Sequence, residues 1–386
     1  MAKNIKLKTS IIVMKEKYED PTDLMIDYEK MGGDSWLKMF YESIGAPLPT
    51  LRYSLNCLEI KMEHGKVYTK GKSFRALAEA HARKYRAEVL FRRDYDEYGH
   101  KLIERDARAR DNFLPSLKET IFVEVKSRKD KGKGINLYRT LGNLLSSQAM
   151  CFNLFVPLKN NLPLATRVFR YFIPNLDFIT DIEIEKTPCN ELLNDQSKFG
   201  GVDSDVYIKY LLQNGEQGVL LIETKYVEKE FSVCGHRKNK KFSIQCPDNT
   251  IVKNPSDCTY KHRDNNKFKY WDRTFECDAF DLDKLTSMKC PFGDSKWQLW
   301  VNQVLASQLN KEQNKESINY KFVVLAPEKN KELISNNIIN EFQNLLKRKE
   351  VFEFVTIERI IEIIESEIKE DDLSKWVDEF KKKYLF

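Results

Sequence analysis

Residues 218–226, GVLLIETKY, constrain this chain more than any other stretch. Their apolar members follow one another without alternation. A strand of that kind must be covered on both faces, so helices or a second layer have to pack above and below the sheet. Residues 205–212 (DVYIKYLL) read as another strand, and Asn214-Gly215 marks a tight turn between the two. The pair is expected to form a hairpin. Charged residues in such a strand, here Glu223 and Lys225, are costly to bury unless they are paired or bound to a metal ion.

The surrounding sequence alternates helical and extended patterns. Residues 142–156 (GNLLSSQAMCFNLFV) read as an apolar helix ended by Pro157. Residues 178–186 (FITDIEIEK) read as a strand with Ile179, Ile182 and Ile184 on or near one face. A helix follows at 295–310, a buried strand at 320–326 (YKFVVLA), helix at 329–348, strand at 351–356 and helix at 357–369. This C-terminal alternation predicts parallel βαβ connections. Upstream, 16–44 reads as helix and 51–69 as a hairpin turning at His64-Gly65. Residues 72–93 read as a helix burying Ala76, Leu77, Ala80, Tyr85 and Val89. Its other face carries Arg75, Arg83, Lys84, Arg86, Arg92 and Arg93, which suits solvent or nucleic acid.

Length and composition exclude several classes. A chain of 386 residues with 41% hydrophobic and 32% charged residues is globular and long enough for a large core. It lacks a run of about 18 apolar residues, so no membrane span is expected. The start, Met1-Ala2-Lys3-Asn4-Ile5-Lys6, has no long apolar segment, and a cytoplasmic location is expected. The eight cysteines have no CxxC spacing and are expected as reduced thiols. Cys234, His236, Cys246, Cys258, His262, Cys277 and Cys290 gather in an irregular insertion, where structural zinc is the less favoured alternative. The net charge of +6 does not itself declare a nucleic-acid binder. The run 126–134 concentrates Lys126, Arg128, Lys129, Lys131 and Lys133 in what reads as a flexible loop, which either neutralises phosphates or is a solvated connector. Tyr260-Lys261-His262-Arg263 and Lys267–Trp271 (KFKYW) mix cations with stacking platforms, or form an ordinary surface loop.

The chemistry concentrates at the hairpin. Residues two apart on a strand share a face, so Glu223 and Lys225 point the same way. Antiparallel pairing can set Asp205, at the start of its strand, beside them. Two carboxylates there make an oxygen site suited to Mg²⁺, which polarises a phosphate and acidifies a bound water. Lys225 can orient that water or stabilise charge developing on phosphorus. Glu-x-Lys also occurs at Glu59-Lys61, Glu124-Lys126, Glu367-Lys369 and Glu379-Lys381, but none of these has an upstream acid on a hairpin partner. The alternative reading of Asp205, Glu223 and Lys225 is a structural ion-pair network.

Residues 200–226, GGVDSDVYIKYLLQNGEQGVLLIETKY, resemble the core of the PD-(D/E)xK nuclease superfamily. LLSSQAMCFNLFVPL (144–158) and WQLWVNQVLA (297–306) are similar to helices of a family of bacterial restriction endonucleases within it, and LIERDARARDNFLP (102–115) is a weaker match. The resemblance implies a restriction-endonuclease-like αβββαβ core, an α/β fold with a mixed central sheet flanked by helices. It implies Asp205 and Glu223 as metal ligands, the Thr224 carbonyl as a third, and Lys225 as the catalytic lysine. Asp203 is a rival for the first acid. The first core helix carries Gln148 where many superfamily members have a Glu; Glu185 is a substitute, and Gln298 and Gln303 are accessory candidates. The implied activity is Mg²⁺-dependent hydrolysis of DNA, with Mn²⁺ able to substitute, in restriction or defence. A degenerate fold that binds nucleic acid without cutting, or an RNA-directed nuclease, are the alternatives. A homodimer would suit double-strand cleavage by one site per chain. The expected organisation is an N-terminal α+β region over 1–97, assigned to target recognition, and a nuclease domain over 98–386. The latter holds the insertion 227–294 and a C-terminal βαβα extension over 320–386.

Overall fold

The computed structural model describes residues 64–131, 134–194, 202–235, 258, 268–313, 319–334, 337–369 and 371–386. Its principal elements in chain order are α1 (Phe74–Lys84), α2 (Lys118–Asp130), α3 (Leu137–Gly142), α4 (Ser147–Asn160), α5 (Leu162–Phe169), β1 (Leu176–Lys186), β2 (Ser204–Leu212), β3 (Gln217–Thr224), α6 (Lys296–Gln313), β4 (Tyr320–Ala326), β5 (Phe352–Thr356), α7 (Ile357–Glu367) and α8 (Asp371–Tyr384). The strands form one mixed sheet in the order β1-β2-β3-β4-β5. The first three are antiparallel, and β3, β4 and β5 are parallel. This is the α/β architecture expected, with the αβββαβ order intact. Among the described residues no helix is long and apolar enough to cross a membrane.

The sheet is covered on both faces, as the apolar run of β3 requires. Leu220 and Ile222 join the core shared with α1, α4, α5, α7 and α8. Val219 and Leu221 join the opposite core with Leu299, Trp300 and Val304 of α6. The β2–β3 turn places Gly215 at φ +83°, with the Gly215 N–H donating to the Leu212 carbonyl at 2.8 Å. Three residues therefore close the hairpin, and only the last needs the left-handed conformation that glycine adopts freely. In β1 a register shift between Ile179 and Asp181 lets Ile179 and Ile182 both face inward despite their odd spacing.

Elsewhere the structure corrects the expected elements. Helix α4 starts at Ser147, whose N-cap is Ser146, and runs through Pro157 to Asn160. Proline removes the N–H that would bond the Asn153 carbonyl. The indole of Trp376 on α8 donates to that carbonyl instead, at 2.9 Å, so the helix continues. The segment over 126–134 is no loop along most of its length, because α2 extends to Asp130. Leu77 and Ala80 of α1 are exposed, and the buried face carries Phe74, Ala78 and Ala82. Its phase is set by Phe74 and by Glu79, which is fully buried because its carboxylate accepts the Tyr68 and Thr69 N–H groups. Arg86 is not on a solvated face; its guanidinium is buried and bonds the carbonyls of Gly99, Arg93 and Asp94. Residues 64–69 form no strand, and 329–348 holds two short helices, Lys331–Ile334 and Ile338–Gln343. The helix expected over 16–44 and the rest of the 51–69 hairpin lie outside the described residues.

The 102–115 stretch serves as a structural tie. Asn112 Nδ2 donates to the Thr140 and Asn143 carbonyls, and Lys383 Nζ donates to Asn112 Oδ1 at 2.9 Å. Burial pulls the Lys383 ammonium down to about 7, with Asp111 acting weakly the other way. The unfolded chain then holds this proton more tightly between pH 7 and the ordinary lysine value. Stability from this group therefore rises with pH across that window. The stability difference between wild type and Lys383→Met should shift in favour of wild type by about 3 kcal/mol from pH 7 to about pH 9.5. Urea melts at both pH values check it; a pH-independent difference would show that the buried lysine is not strongly perturbed.

Candidate active site

The hairpin register builds the site. Pairs Ile184↔Val206 and Lys186↔Ser204 set Glu185 opposite Asp205, and Val206↔Ile222 carries Asp205 on to Glu223. Three carboxylates thus form a row across β1, β2 and β3, whose strands lie about 4.8 Å apart. Thr224 locks the middle one, its N–H and hydroxyl both donating to Asp205 Oδ2 at 2.7 Å. Cys151 on α4 lies beneath, its thiol 3.7 Å from the Asp205 carbonyl, and burial raises that thiol well above its ordinary value.

Glu223 is gripped from α6. Gln298 Nε2 donates to Glu223 Oε1 at 2.7 Å, and Asn302 Nδ2 donates to Oε2 at 3.0 Å. Lys225 Nζ stands 2.9 Å from Glu223 Oε1 and donates to Gln298 Oε1 at 2.9 Å. The two side chains share a face, as their spacing requires. Lys225 is only 8% exposed, and burial alone would favour its neutral form. The charges of Glu223, Glu228 and Asp205 outweigh burial and raise its pKa above the ordinary value. Without a bound metal ion it is therefore a protonated cation, able to orient water or stabilise an anion.

The acids crowd one another. Asp205 is raised to about 7, by desolvation first and then by the charge of Glu223, while Lys225 and Thr224 pull it back. Glu185 is raised well above the carboxylate range by burial and by Asp205, with Asp203 and Glu223 adding to it. Glu185 adopts φ +54°, a left-handed conformation that is uncommon for a residue with a side chain. Gln148 at the start of α4 steadies it, donating to Glu185 Oε1 at 2.7 Å and to the Gly134 carbonyl at 2.8 Å.

Such a set suits a hard cation. Mg²⁺ takes one or two carboxylates and keeps several waters, so a closed cage of protein ligands is not needed. Among the described residues no group of three or more His, Cys, Asp or Glu side chains is already arranged as such a cage. That applies also to Cys234, Cys258, Cys277 and Cys290 of the insertion. Cys246, His236, His262 and the aromatic-basic run from Tyr260 through Lys267 lie outside the described residues. Glu185 also lines a cleft of about 640 Å³ with Arg128, Lys131, Glu183, Lys186 and Glu312. Asp205, Glu223 and Lys225 do not line it, so the cleft adjoins the row at one end only.

The structure brings together Asp205, Glu223, Thr224, Lys225, Glu185, Gln148 and Gln298, with Asp203 reaching Glu185 electrostatically. It gives Gln303 no part here: its amide is fully buried on α6 without a hydrogen bond to the row. Of the basic run, Lys126, Lys129 and Lys131 are exposed. Arg128 turns inward to Glu124 at 3.2 Å and Glu183 at 3.4 Å, so it is not a free phosphate ligand. Lys133 lies outside the described residues. Sequence reasoning missed Asn302. Its signal was the i, i+4 spacing from Gln298, which puts two amides on one helix face.

Comparison with known proteins agrees with this geometry. A family model of the PD-(D/E)XK nuclease superfamily matches residues 70–270 and 282–386. No curated protein and no solved structure matches the chain. With the mixed sheet, the hairpin acids and the lysine two residues beyond Glu223 in place, the chain belongs to the PD-(D/E)XK nuclease superfamily.

Proposed function

We propose that the protein is a Mg²⁺-dependent endonuclease hydrolysing phosphodiester bonds of DNA. The observation that carries this reading is the row Glu185–Asp205–Glu223 with the Lys225 ammonium at one end. Asp205 and Glu223, with the Thr224 carbonyl, are the residues that would hold the ion. The ion, when bound, supplies charge neutralisation and a bound water acidic enough to attack phosphorus. Mn²⁺ would meet the same oxygen ligands. Thr224 holds Asp205 in a fixed orientation, and Gln298 and Asn302 do the same for Glu223. Lys225, as an ammonium, orients the attacking water and offsets the negative charge that grows on the phosphate. The exposed Lys126, Lys129 and Lys131 are proposed phosphate contacts. The family resemblance extends the proposal to restriction of foreign DNA.

Incubating the protein with supercoiled plasmid, linear duplex, single-stranded DNA and RNA, each with Mg²⁺, Mn²⁺ or EDTA, tests this reading. Cutting of DNA with either metal and none with EDTA is expected. Cutting that persists in EDTA, or of RNA alone, would contradict it.

A further inference from the structure

Tyr68, Tyr98 and Tyr138 form an aromatic surface outside the carboxylate row, with no role in the chemistry above. Tyr68 and Tyr138 are 55% and 64% exposed, so two large rings face solvent. The Tyr98 ring stands edge-on to Tyr68 with centroids 4.7 Å apart, and lies parallel to the buried ring of His100 at 6.0 Å. Cations sit among these rings. Lys66 and Lys101 lie 5.0 and 5.5 Å from the centre of Tyr98, Lys101 lies 6.0 Å from that of Tyr138, and Arg75 lies 5.7 Å from that of Tyr68. Two acids are interspersed, and both are engaged. Asp96 accepts the Tyr138 hydroxyl at 2.6 Å, and Glu97 pairs with Lys101 at 2.5 Å.

Hydrogen bonds brace the backbone beneath Tyr68 and Tyr98. The buried Glu79 carboxylate holds the Tyr68 and Thr69 N–H groups. The Gly99 N–H donates to the Lys66 carbonyl at 2.9 Å. Gly65, at φ +77°, lets the chain pass so close to Tyr95 that a Cβ there would meet its ring at 2.7 Å. Little backbone entropy would be lost when a ligand stacks on rings carried this way. The surface also connects to the site. Tyr138 belongs to α3, whose N-cap Asn136 donates its N–H to Gln148 Oε1 at 3.3 Å, and the Gln148 amide holds Glu185.

We propose that this surface stacks unpaired bases of a DNA strand that leads to the carboxylate row. Exposed rings interleaved with cations match a single strand, which offers base faces and a charged backbone together; a duplex hides its base faces. The inference rests on the reading of the row as a DNA-hydrolysing site. It adds the substrate class: DNA with a single-stranded segment beside the cleavage point.

The test is fluorescence anisotropy of the full chain in EDTA, with a labelled single-stranded oligonucleotide and a blunt duplex of equal length. Tyr68→Ala and Tyr138→Ala should each weaken single-strand binding about tenfold. Duplex binding should stay as in wild type. Tyr68→Phe and Tyr138→Phe should keep the affinity, because the ring stacks. Tyr171→Ala, at another exposed tyrosine, should change nothing. Alanine variants that bind the single strand like wild type, or that lose both ligands equally, would overturn the inference. A wild type that binds and cuts duplex while ignoring single strands would overturn it and leave the nuclease reading standing. A wild type that binds neither ligand, and cuts neither with Mg²⁺, would overturn both.

Discussion

Lys225→Ala is expected to lower the rate of DNA cleavage by at least about 10²–10³-fold, the usual effect of removing one group that stabilises transition-state charge. The loss should fall on the chemical step. Lys225 is 8% exposed and its Nζ is engaged with Glu223 and Gln298, so it offers little to a resting duplex. DNA affinity should therefore stay within a few-fold of wild type. Lys225→Arg should not rescue cleavage, since a planar, forked guanidinium does not reproduce the compact ammonium that Glu223 and Gln298 hold. Single-turnover rates and anisotropy on the same preparations separate the two effects. Equal loss of binding and cleavage would make Lys225 a phosphate contact and contradict its assigned role.

The second large effect runs opposite to the usual direction. Asp205→Asn should abolish cleavage and at the same time raise the melting temperature of the metal-free protein. Asp205 is hemmed in by Glu223 and Glu185, and Lys225 offsets only part of that charge. The asparagine oxygen can still accept from the Thr224 N–H and hydroxyl, while its amide presents a donor to the neighbouring carboxylates. A gain on the order of 2 kcal/mol, or about 2–3 °C for a chain of this length, is expected near pH 8. Calorimetry in EDTA measures it. A variant less stable than wild type would mean that the row is a balanced ion-pair network and not a site waiting for a cation.

The parts legible in the sequence were those that hydrophobic pattern and hairpin geometry dictate. Val219 to Ile222 could be buried on two faces only in a covered sheet, and that alone placed the layers. The strand period put Glu223 and Lys225 on one face, and the turn at Asn214-Gly215 brought Asp205 back to them. Harder to read were features decided by long-range partners. The passage of α4 through Pro157 depends on an indole more than two hundred residues away in the chain. Arg128 and Arg86 carry the charge of surface residues, yet carboxylate and carbonyl partners draw them inward. Asn302 was silent because an amide on a mostly apolar helix has no pattern of its own until the helix is laid against β3. Glu185 was visible only as a substitute ligand. Its place in the row follows from the β1–β2 register, which the bulge near Asp181 sets.

The row Glu185–Asp205–Glu223 is expected to accept a divalent cation. The most direct test is the melting temperature of wild type and Asp205→Asn as Mn²⁺ is added without DNA. Wild type should gain stability with rising Mn²⁺ as the ion neutralises the crowded carboxylates. Asp205→Asn, which starts higher, should barely respond. Equal responses in the two proteins, or none in wild type, would contradict the account.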